Sequence, residues 1–268
     1  YTLPRDPGAQ FEYSNLGVGL LGRELSRAAG ESSEAMDRRM VWQPLGMTHT
    51  AITFTPWMKQ HLALGHDATG KVTANWDLPT LAGAGAIRST TDDMLKFLAA
   101  NLHPERGALE QAMAFAHEQR APAGSPNMRI GLNWFTLHVG SDSIVWHNGG
   151  TGGYRTFIGV EPARRVAVVV MTNSGGEGAD ERVVADGSQA HGGDAAALRT
   201  IGIAAKLAGR DAGGEVGGDG LGGARKDAGV RVRGRLLQLA QDWLRHVEER
   251  ILRKQPAECI DGHCSLTR

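Results

Sequence analysis

Up to about residue 120 the apolar positions recur with a helical period, and after residue 130 the period falls to two. In "FEYSNLGVGLLGRELSRAAG", Leu16, Leu20, Leu21 and Leu25 follow an N-cap candidate, Ser14 or Asn15, and Gly30 supplies a stop. This predicts a helix whose first turn holds a Tyr-Ser-Asn triplet. A second helix is predicted over 32–42, ahead of the turn signal "QPLGM". A third starts at the caps of "STTDDMLKFLAANL", where Asp92 and Asp93 favour the positive end of the helix dipole, and a fourth spans 107–119. The segments "IGLNWFTLHV", "SIVWHN", "YRTFIGVEP" and "VAVVVMTNS" then read as four successive antiparallel strands, the last apolar throughout, as a central strand is. A helix near 194–209, "DAAALRTIGIAAKLAG", is expected to cover one face of that sheet. The fold class is α+β, with a helical part over 1–130, a sheet and C-terminal helix over 131–209, a glycine-rich linker over 210–230, and a basic amphipathic helix and tail over 231–268.

One stretch interrupts the alternation. "SIVWHNGGTGGYRTFIGV" places His147, Asn148, Gly149 and Gly150 where a strand favours branched, space-filling side chains. Glycine inside a strand weakens packing and entropy, so the run points to something that must approach the backbone closely, such as a ligand. "GGTGG" also reads as a hairpin loop between strands at 143–148 and 154–160, and on local grounds both readings stand.

Composition narrows the class. A chain of 268 residues with 41% hydrophobic content buries a substantial core, and its formal net charge of zero provides no field toward nucleic acid. No apolar run reaches the length of a membrane span, and "YTLPRDPGAQ" lacks both parts of a signal peptide. The absence of an initial Met points to missing upstream sequence. The two cysteines, Cys259 and Cys264, lie with His263 in a tail without a fourth ligand at metal spacing, so no disulfide framework and no metal site is expected. In "VRVRGRLLQLAQDWLRHVEERILRK", Leu236, Leu239, Trp243, Val247 and Ile251 share one stripe among arginines. Such a helix, over 231–254, docks on its own domain or lies on a membrane surface or another chain. "GVGLLG" at 17–22 matches a dinucleotide fingerprint, but no strand precedes it and its glycines fall within a helical pattern, so no cofactor is expected. His61 and His66 are five apart, which is not a metal-binding pair on one helix face, and they read as surface histidines.

Two segments more than a hundred residues apart carry the chemistry, "PGAQFEYSNLGVGLLG" and "WHNGGTGGYRTF". With "QPLGMTHT" and "GAGAIRSTTDDMLKF" between them, residues 1 to about 175 resemble the serine β-lactamase and penicillin-binding superfamily, in its class C and esterase-like branch. The resemblance implies a β-lactamase-like fold in which a Tyr-x-Asn motif on the helical part faces a Lys-Thr-Gly or His-x-Gly motif on an antiparallel sheet across the active-site cleft. Carried over by position, Tyr13 and Asn15 occupy the first motif and His147, Asn148 and Gly149 the second. Gly150 then provides the backbone N–H of half an oxyanion hole, and Thr151 joins Asn148 and Gly149 in binding substrate. Tyr13 would act as a general base or relay. A phenol of ordinary pKa about 10 does so at neutral pH only with a cation nearby or in a concerted step, and His147 is one possible partner.

The sequence departs from the family pattern in lacking a Ser-x-x-Lys motif anywhere in its 268 residues. The chain is therefore expected to be the C-terminal portion of a hydrolase, an incomplete fold without its nucleophile, its lysine and the N-terminal strands of its sheet. The implied partners are a small-molecule or peptide substrate and the missing segment, and the implied location is periplasmic or secreted. Two functions follow: acyl-enzyme hydrolysis of an ester, a D-amino acid peptide or amide or a β-lactam, or a non-catalytic module that binds a ligand or partner through the old cleft.

Overall fold

A computed structural model describes residues 2–175 and 200–207. The linker at 210–230, the amphipathic segment and the two cysteines lie outside these residues. Helix α1, Asn15–Ala29, starts where the extended Ser14 accepts the Gly17 N–H at 3.0 Å, and it stops at Gly30 in the left-handed conformation. The glycines of the "GVGLLG" pattern serve packing. A Cβ on Gly19 would lie 2.8 Å from Leu81 Cβ, and one on Gly22 would lie 3.2 Å from Gly83 Cα, so α1 rides close against the short 3₁₀ turn Ala82–Ala84.

The second predicted helix is split into α2, Ser33–Asp37, and a π-helical turn, Arg38–Trp42, whose wider winding brings Trp42 into the core. Helix α3, Pro56–His61, was not predicted, although Thr55 caps it and Pro56 opens it. Helix α4, Thr91–Asn101, falls where its cap at Thr90 places it, and α5, Ala108–His117, lies within the span predicted over 107–119 without a side-chain cap.

Among the described residues the sheet holds seven antiparallel strands in sequential order: β1 (Ala121–Ala123), β2 (Ser125–Ile130), β3 (Phe135–Val139), β4 (Asp142–Thr151), β5 (Tyr154–Glu161), β6 (Val166–Thr172) and β7 (Thr200–Leu207). Strand β7 corrects the helix expected over 194–209, of which 200–207 is described. It pairs with β6 from Val166↔Leu207 onward. The alanine-rich composition favours a helix, but β6 is buried from Ala167 to Val170 and needs a partner for its second edge, so tertiary pairing overrides local preference. Leu98 and Leu102 of α4 pack on Val145, Val160, Ala167 and Val169 of the sheet, the main core cluster. Burying each such side chain contributes about 1.5–3 kcal/mol.

His66 is also a correction, since it is 6% exposed rather than a surface residue. Its backbone N–H donates to Asn173 O at 2.9 Å and its ring Nδ1 lies 3.2 Å from the same carbonyl, which pins the loop after α3 to the end of β6.

Candidate active site

β4 outruns one of its neighbours. Its pairing with β3 ends at Phe135↔Trp146, while its pairing with β5 continues to Thr151↔Tyr154. Residues 147–151 therefore have a strand on one side only among the described residues, and backbone groups on the other side are open to a ligand. The glycine-rich run is mostly strand. Only Gly152 and Gly153 form the turn, and Gly153 takes φ 79°. The close approach inferred for the glycines is made here by the chain itself. A Cβ on Gly149 would meet Thr156 Oγ1 at 2.6 Å, one on Gly150 would meet Arg155 Nη1 at 2.9 Å, and one on Gly152 would meet Ala74 O at 2.2 Å.

The segment before α1 lies beside this open stretch. Its alternation of Phe11 and Tyr13 places two rings on the sheet: Phe11 packs edge-on against Phe135 at 5.8 Å, and Tyr13 sits 6.4 Å from His147, ring centre to ring centre. Phe135 in turn stacks on His147 at 5.7 Å. The Tyr13 hydroxyl donates to Asn15 Oδ1 at 3.1 Å, so the two outer residues of the Tyr-x-Asn triplet are joined, while Ser14 between them is occupied as the helix cap. Two motifs 134 positions apart, Tyr13 and His147, thus share one cleft.

His147 Nδ1 lies 2.6 Å from the Asn148 carbonyl, which fits an Nδ1–H donor and leaves Nε2 as the basic nitrogen. Burial pushes its pKa below the ordinary histidine value, and the Asn148 carbonyl offsets this only in part. The imidazole is neutral at pH 7. That removes it as the cation that would favour a Tyr13 phenolate and leaves it as a proton acceptor. Asn148 and Gly150 are exposed, and Gly149 and Thr151 are half-buried. No group of three or more His, Cys, Asp or Glu side chains suited to a metal occurs among the described residues.

Thr151 and Thr156 open into a cavity of about 230 Å³ that sequence reasoning missed. Its wall includes a three-ring stack, with Trp57 4.0 Å from His49 and 4.1 Å from His61. The signal was present in "TPWMKQH", a proline-opened helix with an aromatic residue in its first turn, but the rings come together only through the fold.

The comparisons agree with this architecture. A family model described as Beta-lactamase matches residues 1–191. The chain is 26% identical over 198 residues to a "Beta-lactamase" of Pseudomonas fluorescens, covering 62% of this chain and 55% of that protein. It is 25% identical over 183 residues to "Protein flp" of Staphylococcus aureus, covering 65% of this chain and 36% of that protein. Among solved structures, the D-alanine carboxypeptidase AmpC of Burkholderia cenocepacia superposes with a TM-score of 0.61 at 22% identity, over 68% of this chain and 61% of that one. A β-lactamase/D-alanine carboxypeptidase of Pseudomonas syringae gives a TM-score of 0.62 at 17% identity, over 68% and 60%. These structural likenesses show a β-lactamase-like fold, and the chain spans about half the length, or less, of the curated relatives it matches.

Proposed function

Because this chain belongs to the β-lactamase family, we propose that the cleft between Tyr13 and the open edge of β4 is part of a serine-hydrolase site for acyl transfer to water. The substrate is an ester, a D-amino acid peptide or amide, or a β-lactam. The observation that carries this reading is the 6.4 Å approach of Tyr13 to His147 beside a strand edge that has no neighbour among the described residues. A substrate carbonyl laid on that edge accepts the Gly150 N–H as negative charge develops on its oxygen. Tyr13, held by Asn15, relays the proton of the attacking hydroxyl to the leaving group. His147, neutral at pH 7, takes part by accepting a proton rather than by supplying charge. Asn148, Gly149 and Thr151 orient the substrate along β4.

The attacking oxygen is the remaining part. Ser14 is engaged as a helix cap, and the sequence contains no Ser-x-x-Lys, so the nucleophile comes from outside these 268 residues. A periplasmic or secreted location accompanies this reading. The same chemistry favours esters and D-amino acid amides over penicillins, because a neutral imidazole anchors a substrate carboxylate less well than a lysine does.

The test compares residues 1–268 with a longer protein that carries a Ser-x-x-Lys segment from upstream in the same gene, using a chromogenic ester and a chromogenic cephalosporin. The short chain is expected to be inactive. The longer one is expected to turn over the ester faster and to lose about 10²–10⁴-fold in kcat with Tyr13→Phe. Turnover by the short chain, or a Tyr13→Phe variant as active as its parent, would overturn the proposal.

A further inference from the structure

We propose that the concavity at the C-terminal end of α1 is a binding site for an organic phosphate. The inference stands apart from the acyl-transfer reading, and its test uses no turnover.

The concavity, of about 450 Å³, is lined by the C-terminal half of α1, the connection to α2, and Pro79 with Thr80. Tyr13 lies beyond the other end of α1. At about 1.5 Å of rise per residue, Arg27 stands about 20 Å along the helix from it, so this is a second location and not an arm of the cleft.

Arg23 and Arg27 both line the concavity, and both are exposed. Being four positions apart, they share one face of α1 with Cβ atoms about 5–6 Å from each other. Arg23 has no hydrogen-bond or acidic partner among the described residues. Arg27 has only Glu24 among them, at 3.6 Å and with both side chains more than half exposed. An exposed pair of that kind is weak, so both guanidinium groups are free to take a better acceptor.

Groups that would repel an anion are already occupied. Glu31, which also lines the concavity, receives Arg39 Nη2 at 2.5 Å and Nε at 3.2 Å on one oxygen. The carbonyls of Ser26 and Arg27 accept the Glu31 and Gly30 N–H groups, each at 3.2 Å. Hydroxyl donors remain. Ser32 accepts the Ala35 N–H at 3.2 Å and keeps its own proton to give, and the Thr80 hydroxyl has no partner among the described residues.

This donor set selects the guest. Two guanidinium forks and two hydroxyls suit a tetrahedral group with three acceptor oxygens and a charge of about −1.5 to −2, whereas a planar carboxylate matches a single fork. The volume falls within the range of small-molecule sites, roughly 300–1,000 Å³, and leaves room for an organic group on the phosphate. With polar side chains around it, that group is hydrophilic, such as a sugar.

Residues 1–268 are titrated with glucose 6-phosphate and, separately, glucose, followed by protein NMR. Cosedimentation with vesicles of phosphatidylglycerol asks whether a lipid headgroup supplies the same phosphate. Glucose 6-phosphate is expected to bind at least tenfold more tightly than glucose, and less tightly as salt is raised. Arg23→Gln and Arg27→Gln should each cut its affinity at least fivefold. Arg106→Gln, which removes an exposed arginine outside the concavity, should leave it unchanged. Binding to the vesicles alone, lost in both variants of α1, would support the site and identify a lipid as the source of the phosphate. The site would be overturned by equal binding of the ester and glucose together with no vesicle binding. Binding of either phosphate that survives both variants of α1, or that Arg106→Gln weakens as much as they do, would overturn it too.

Discussion

His117 shows how a single buried ring sets the acid limb of stability. It closes α5 against Trp134, with ring centres 4.9 Å apart, and its Nε2 has no hydrogen-bond partner among the described residues. Burial lowers its pKa to about 4 from the ordinary 6.5. The unfolded chain therefore takes up the proton at higher pH than the folded one. Stability is intact above pH 6.5 and is lost progressively down to about 4, below which both states carry the charge. At about 1.4 kcal/mol per unit, the loss is at most about 3–4 kcal/mol. His117→Phe keeps a ring against Trp134 and removes the titration, so urea midpoints of the variant should fall less than the parent's between pH 6.5 and 4. Parallel curves would reject the assignment. His147 is shifted in the same direction and adds to the acid limb that remains in the variant. At this scale the sequence was legible where residue type implies chemistry. The Tyr-x-Asn and His-x-Gly patterns single out Tyr13, Asn15 and His147, and the fold brings Tyr13 beside both of the others. The burial of His66 was not, because the carbonyl of Asn173 that holds it is 107 positions away. Nor could the sequence reveal that burial leaves His147 neutral, or that Thr156 and Arg155 stand over Gly149 and Gly150.

The elements were legible in proportion to their local signals. Helices α1 and α4 begin at side-chain caps at Ser14 and Thr90, and both caps were within the predicted starts. Strand β7 went unrecognised because its conformation is fixed by β6, while the alanine-rich stretch 194–209 that contains it favours a helix. The contact that orients α1 was invisible for the same reason, since the glycines at 17–22 read only as helix positions of low propensity. Gly83 is the position that tests it. A Cβ there would lie 2.8 Å from Val18 O and 3.3 Å from Gly22 Cα, both backbone atoms that no rotamer change can move away. Gly83→Ala should therefore push α1 off the turn and destabilise the protein by about 1–3 kcal/mol. Because Tyr13 directly precedes α1, the same variant should weaken the Tyr13 to His147 contact, seen as altered chemical shifts for both rings. Gly8→Ala, with nothing within 4 Å, is the comparison, although its φ of 84° adds a small local strain. A Gly83→Ala protein as stable as Gly8→Ala would show that α1 is not held by this approach.

For the whole molecule, the consequential surface is the apolar face of α1 that is left half-exposed among the described residues. Leu16, Leu20, Leu21 and Leu25 recur at the spacing of a buried stripe, yet they are 46%, 46%, 50% and 50% exposed, and Tyr13 beside them is 50% exposed. A contiguous apolar stripe on a monomer is a site for association, and the polar residues of the helix, Arg23, Glu24 and Arg27, do not screen it from water. The charge balance adds nothing to oppose contact, since the formal net charge is zero and molecules near neutrality repel one another weakly. Residues 1–268 are therefore expected to self-associate reversibly at micromolar concentrations. The double substitution Leu20→Ser and Leu25→Ser should shift the population toward monomer in analytical ultracentrifugation. It should change unfolding free energy by no more than about 0.5 kcal/mol, because neither side chain contributes to a core. Replacing Leu98 by Ser, by contrast, opens the cluster between α4 and the sheet and should unfold much of the population. A parent protein that sediments as a monomer at every concentration would show that four half-exposed leucines on one helix are tolerated in water. A double variant that associates as strongly as the parent would move the contact to another surface, with the exposed rim of Trp57, Trp76 and Ile87 the next to alter.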